Sequence, residues 1–212
     1  MSEFSQRALS VEPPANVAAI VLAAGLGARY RAQDAKTATK LIARLDGKPL
    51  VRHVAEAALA SRAKPLLVVT GHEQDLVREA LAGLAIIFVH NPDFASGLAS
   101  SLQAGVAALP SDTRGALILL GDMPRVSAAT LNRSIALFEA NPHCAAVAPV
   151  YRGARGNPVL LARRMFAPVA QLTGDQGARP LLRSGADVIE WEADDAAIEI
   201  DVDTPEGLSK LS

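Results

Sequence analysis

The chain has 212 residues, half of them hydrophobic but only 4% aromatic, so one domain with an aliphatic core is expected rather than a small aromatic-rich β-barrel. Its 21 Lys and Arg stand against 22 Asp and Glu, and the net charge of −1 argues against nucleic acid or an anionic membrane as partner. A single cysteine, Cys144, excludes an internal disulfide, and no apolar run reaches the roughly 20 residues that span a bilayer, so a cytoplasmic protein is expected.

Residues 1–16 contain Pro13 and Pro14 and no long apolar stretch of the secretory kind; they read as a loose leader before a single domain over 17–212. VAAIVLA, Val17 to Ala23, has the length and apolarity of a buried parallel strand and is closed by glycine. From Lys48 the sequence KPLVRHVAEAALASR places Leu50, Val51, Val54, Ala55, Ala58 and Leu59 at helical spacing, with Pro49 at the helix start. A second strand is expected over Pro65 to Gly71, then a helix in EQDLVREALAGL with Gly83 as its C-terminal cap. AIIFVHN reads as a strand, GLASSLQAGVAAL as a helix, GALILLGD as a strand, SAATLNRSIALFEAN as a helix and CAAVAPVY as a strand. Past Tyr151 the alternation loosens: GNPVLLARRMF reads as a strand running into a helix, GARPLLRS as a short helix, and DVIEWE and AIEIDVD as strands. TPEGLSKL is a last helix, with Thr204 as N-cap and Pro205 at its first position. The alternation predicts a doubly wound α/β sheet, in which ligands bind outside the carboxyl ends of the strands.

The loops at those ends carry the chemistry. GLGARY, Gly25 to Tyr30, fails the dinucleotide fingerprint because Tyr30 stands where its third glycine would be, and no P-loop motif is present. The loop is either an ordinary strand–helix turn or a phosphate cradle, with Arg29 and a downstream lysine, Lys40 or Lys48, as counter-charges. Asp122 leaves the fourth strand in LLGDMP, where it either holds Mg²⁺ or forms an acidic turn. Asp201 and Asp203 alternate along an expected strand and so share a face, either as metal partners of Asp122 or with Asp203 capping the last helix. Ser96, Ser100 and Ser101 sit at a helix start, as ligand contacts or as caps. Arg152 and Arg155 lie between glycines, facing an anionic second substrate or merely solvated. The four histidines lack metal-ligand spacing; His53 is expected to be structural, Cys144 buried and inert, and Trp191 a packing residue. No G-x-S-x-G nucleophile elbow occurs.

Together, VLAAGLGARY, TKLIARLDGKPLVRHV, NPDFASGLASSLQAG, LLGDMP, RGNPVLL, LTGDQGAR and DVDTPEGL, in this order over Val17 to Leu208, resemble the MobA-like nucleotidyltransferases and, among them, the molybdenum cofactor cytidylyltransferase branch. The resemblance implies a single-domain three-layer α/β/α Rossmann-like nucleotidyltransferase fold with a mostly parallel sheet. It implies Mg²⁺-dependent transfer of CMP from CTP to the terminal phosphate of molybdopterin bearing molybdenum, with pyrophosphate leaving. A molybdenum hydroxylase or its insertion chaperone would receive the product. Carried onto matching positions, Ala23, Ala24, Gly25 and Gly27 would wrap the nucleotide, and Gly97 and Ser101 would lie in its base- and ribose-contacting segment. Arg29 and Lys40 would stabilise the triphosphate, Asp122 and Asp203 would hold Mg²⁺, and Arg155, Gly156 and Asn157 would face the pterin. Two features depart from the family: Tyr30-Arg31 replaces Met-Gly, and the insert RAQDAKTAT stretches the spacing, leaving Lys36 beside Lys40 as phosphate lysine. Ala-Ala-Gly in place of Ala-Gly-Gly points to cytosine over guanine. The alternatives are GTP as donor, another phosphorylated acceptor (a sugar phosphate, methylerythritol phosphate or phospholactate), or a non-catalytic cofactor carrier.

Overall fold

The computed structural model describes residues 16–34, 36–183 and 187–211, so the expected leader lies outside it apart from Asn16. β1 (Val17–Ala23) is buried at every position. It is followed by the short α1 (Ala28–Gln33), the two-residue strands β2 (Arg44–Leu45) and β3 (Lys48–Pro49), and α2 (Leu50–Ala60). Then come β4 (Leu66–Thr70), α3 (Gln74–Ala80), β5 (Ile87–His90), α4 (Leu98–Ala107), β6 (Gly115–Leu120) and α5 (Ala128–Ala140). The chain continues through β7 (Ala146–Tyr151), β8 (Ala154–Arg155), β9 (Val159–Ala162), α6 (Phe166–Val169), α7 (Arg179–Arg183), β10 (Val188–Glu192) and α8 (Pro205–Ser209).

The main sheet runs in the order β10-β7-β9-β6-β1-β4-β5, with β8 pairing to β7. The pairs β1–β4, β1–β6, β4–β5 and β7–β10 are parallel, whereas β9 is antiparallel to both β6 and β7. The side-chain period of two divides β1 between two cores: Ala19, Val21 and Ala23 pack with α2, α3 and α5, while Ile20, Leu22 and Ala24 pack with α4, α6 and α7. Three layers follow from that division. The chain winds from β1 outward through β4 to β5, then crosses to the other side of β1 to lay down β6. The loops after β1 and β6 therefore diverge at a switch point, where a crevice opens.

Most expected elements form, and the differences have local causes. Pro49 is the N-cap of α2 rather than its first residue, because Lys48–Pro49 pairs with Arg44–Leu45 and keeps Pro49 extended at ψ 141°. The helix α3 ends at Ala80, capped by Leu81, and Gly83 serves the turn beyond it at φ +81°. AIEIDVD is not a strand. Asp195 caps a single 3-10 turn over Ala196–Ile198 by accepting from the Ala197 N–H, and the Ile198 carbonyl accepts from the Asn157 N–H. Val202 then donates to the Asp122 carbonyl at 3.0 Å, so this backbone is tied to loops instead of a sheet edge. The last helix forms as expected, with the Thr204 hydroxyl accepting from the Gly207 N–H. Cys144 is buried just before β7, and burial raises its thiol pKa. Trp191 packs in the core and donates to the Ser134 hydroxyl.

Candidate active site

The loop leaving β1 turns at Gly27, whose φ of 58° is the left-handed conformation that glycine adopts without strain. Tyr30, two residues into α1, is buried with Leu45, Leu50 and Val202. In that cluster the ring anchors α1 against the segment carrying Asp203. Arg29 then projects from the exposed side of α1, and its guanidinium donates to Asp203 Oδ2 at 2.6 Å. The Lys40 chain packs over Gly27, where a Cβ would stand 3.5 Å from Lys40 Cγ.

Lys40 opens a 3-10 turn, Lys40–Ile42, whose N-cap Thr39 accepts from the Leu41 N–H. Its ammonium lies 2.6 Å from both Asp122 Oδ2 and Asp203 Oδ1. Burial opposes the charge on Lys40, but Asp122 and Asp203 outweigh it and raise the lysine pKa. The Lys40 hydrogen bond is the main reason the Asp203 carboxyl is held below the usual carboxylate value. Burial pushes Asp122 the other way, and Lys40 offsets it only in part. The second carboxylate oxygen of Asp122, Oδ1, is buried and has no hydrogen-bond partner. Asp201 completes the group: one oxygen each of Asp122, Asp201 and Asp203 lie within 4.8 Å of one another. Three carboxylates, one with an orphaned oxygen, form a donor set suited to a hard divalent cation.

Arg29, Lys40, Asp122 and Asp203, but not Asp201, line one side of a cavity of about 530 Å³ at the carboxyl ends of β1 and β6. Its other side is built by the segment before α4 (Phe94, Ala95, Gly97), by Leu98 and Ser101 in α4, and by Asp175. Gly97 has a φ of 112°, and a Cβ there would lie 2.3 Å from the Gly174 carbonyl carbon. The exchange Gly97→Ala is therefore expected to cost about 3 kcal/mol, read as a lowered urea midpoint with unchanged m-value.

Arg29, Lys40, Asp122, Asp203, Ala24, Gly25, Gly27, Gly97 and Ser101 all line the cavity. Ala23 does not; the alternation of β1 turns its side chain into the opposite core. Lys36 is exposed and outside the cavity lining, its N–H bonded to Asp34 Oδ1, so Lys40 is the lysine at the acids. Arg155, Gly156 and Asn157 do not line it either. The Arg155 guanidinium is engaged by Glu190 and the Leu182 carbonyl, and Gly156 packs so closely on Ile198 that a Cβ would lie 2.4 Å from its carbonyl oxygen. Ser96 and Ser100 donate to the Asp93 carbonyl and neither caps a helix, since a cap would accept from a backbone N–H. His53 bonds the Leu45 carbonyl, as a structural histidine does. Phe94, Leu98 and Asp175 were not singled out as site residues from sequence, although the family-like LTGDQGAR stretch contains Asp175.

A mostly parallel sheet, a glycine turn after its central strand, and cations paired with carboxylates at one cavity are the features of an α/β fold with a site at the carboxyl ends of its strands, and the family match identifies its class as nucleotidyltransferase. The chain belongs to the family of the MobA-like NTP transferase domain, whose model matches residues 19–189. It superposes on the Rv0371c protein of Mycobacterium tuberculosis with a TM-score of 0.81 and 27% identity, covering 94% of this chain and 98% of that one. Another structure of the mycobacterial protein is a complex with manganese (TM-score 0.74, 26% identity, covering 92% of this chain and 97% of that one). The molybdenum cofactor cytidylyltransferase of Escherichia coli is 29% identical over 142 residues, 66% of this chain and 70% of that protein. The bifunctional protein GlmU of Kineococcus radiotolerans is 39% identical over 127 residues, 59% of this chain but only 25% of that protein. The chain thus spans about a quarter of the GlmU relatives that it matches. No helix among the described residues is long and apolar enough to cross a membrane.

Proposed function

We propose that this protein transfers CMP from CTP to the terminal phosphate of the molybdenum cofactor, releasing pyrophosphate and forming the cytosine dinucleotide of molybdopterin. The observation that carries the transfer chemistry is the chain of contacts Arg29–Asp203–Lys40–Asp122 beside the glycine turn. The cytosine and molybdenum assignments draw support from Ala23-Ala24-Gly25, from the segments 91–105 and 155–158, and from the likeness to the Escherichia coli cytidylyltransferase. In this reading the reaction takes place in the cytoplasm, and a molybdenum hydroxylase or its insertion chaperone takes the product.

The acceptor's phosphate oxygen attacks the α-phosphorus, and the bond from that phosphorus to the bridging oxygen breaks. The attacking oxygen is already anionic, so no general base is required; positioning and charge neutralisation do the work. Backbone N–H groups of the Ala24–Gly27 turn receive phosphate oxygens. Arg29 and Lys40 donate to the triphosphate and to the departing pyrophosphate. Asp122 and Asp203, with Asp201 adjacent, would hold Mg²⁺, which would supply charge neutralisation to the phosphates. The test is pyrophosphate release in the presence of Mg²⁺ and molybdenum cofactor, with CTP, GTP, ATP and UTP compared in parallel. Release from CTP alone is expected. Release from GTP alone overturns the base assignment, and release only when a sugar phosphate replaces the cofactor overturns the acceptor. Binding of the molybdenum cofactor with no pyrophosphate release from any nucleotide points to a carrier.

A further inference from the structure

Asp175 is the one charged residue of the cavity lining that the proposed reaction leaves without a task. The other lining acids, Asp122 and Asp203, are engaged by Lys40 and Arg29. Asp175 makes no ion pair or side-chain hydrogen bond among the described residues. An unpaired carboxylate beside a cavity shaped for a polyanion repels that anion, so its presence calls for a different partner there.

The loop that presents Asp175 is firmly built. Gln103, from α4, donates its side-chain amide to the carbonyls of Val169, Ala170 and Leu172, at 3.3, 3.2 and 2.9 Å. Two residues further on, the Gly174 carbonyl accepts from the Ala99 N–H at 3.0 Å. Gly97 packs directly on the Gly174–Asp175 peptide, and Gly177 lies against Leu98. The helix that walls the cavity thus also fastens the loop and sets the place of the carboxylate. Apart from Ser101, that side of the cavity is apolar or small: Phe94, Ala95, Gly97 and Leu98. An apolar wall with one anion at its edge suits a flat heterocycle that carries an amino group. The ring covers the wall, and its N–H groups donate to the carboxylate.

We infer that Asp175 binds the amino-bearing edge of a nitrogen heterocycle, separating ring recognition from the phosphate chemistry at Arg29 and Lys40. This inference rests on the proposed function for its two sources of such an edge, the cytosine of CTP and the pterin of the acceptor. The experiment is equilibrium titration of the full chain and of Asp175→Asn with CTP, with UTP and with molybdenum cofactor. Asp175→Asn is expected to keep its thermal midpoint, since the side chain is exposed and unpaired, and to weaken one ligand about tenfold or more. If cytosine is the source, CTP affinity falls while UTP, which lacks the amino group, is unchanged. If pterin is the source, only the molybdenum cofactor weakens. Unchanged affinity for all three, or an equal change for CTP and UTP with none for the cofactor, overturns the assignment. Wild type that binds CTP and the cofactor in this amine-dependent way but releases no pyrophosphate overturns the proposed function and leaves the assignment standing. Wild type that binds none of the three overturns both.

Discussion

Asp122→Ala is expected to lower turnover by about a thousandfold while the protein stays folded. Asp122 is the least exposed member of the acid group, and its buried Oδ1 is the oxygen without a partner. Removing it takes away the ligand most shielded from water, where an ion's charge is least screened. The fold tolerates the loss, because burial already disfavours the ionised carboxylate and Lys40 retains Asp203 as its partner. The measurements are kcat from pyrophosphate release and the thermal midpoint, taken on the same preparation. Turnover near wild type would remove Asp122 from the metal site. A collapsed midpoint would show that its role is structural.

Lys40→Ala is expected to damage both activity and stability, and Lys36→Ala neither. Lys40 is the half-buried cation between Asp122 and Asp203, whereas Lys36 is exposed and lies outside the cavity lining. Without Lys40, two carboxylates and the adjacent Asp201 face one another with only Arg29 nearby, at a cost of about 3 kcal/mol. The loss depends on pH in a defined direction. Burial already raises the Asp122 carboxyl, and deleting its ammonium partner raises it further. Between the ordinary carboxylate value and that raised value, the folded variant holds a proton that the unfolded chain has released. The stability of the variant therefore falls as pH rises through that window, so its urea midpoint is expected to be higher at about pH 5 than at about pH 8. Turnover should fall at least about a hundredfold, because a donor to the transferring phosphate is lost. If Lys36→Ala alone impairs turnover, the lysine assignment is wrong.

Patterns of short range carried most of the fold. Seven residues without a charge made β1 legible, a period of 3.6 marked α2 and α5, and Thr204-Pro205 marked the start of α8, because strand burial, helical spacing and capping are local properties. The same logic failed for 197–203, where alternating residues mimic a strand but Ile198 and Val202 bond to loops. Alternation specifies which way side chains point, not whether a neighbouring strand is available.

The glycine turn after β1 and the position of Asp122 after β6 follow from the sequence by itself, since each depends on residues a few places apart in the chain. Which groups meet there was decided by the tertiary structure. Lys40 reaches Asp203 across 163 positions and Arg29 across 174, where the buried Tyr30 ring packs α1 on Val202 and the Val202 N–H bonds the Asp122 carbonyl. Arg155, expected at the acceptor, is drawn to Glu190 once β8 pairs with β7, and Asp175 enters the cavity because Gln103 and Gly97 clamp its loop to α4. Such contacts depend on the crossover that places β6 beside β1 and on how tightly the layers pack, and no window of adjacent residues contains either.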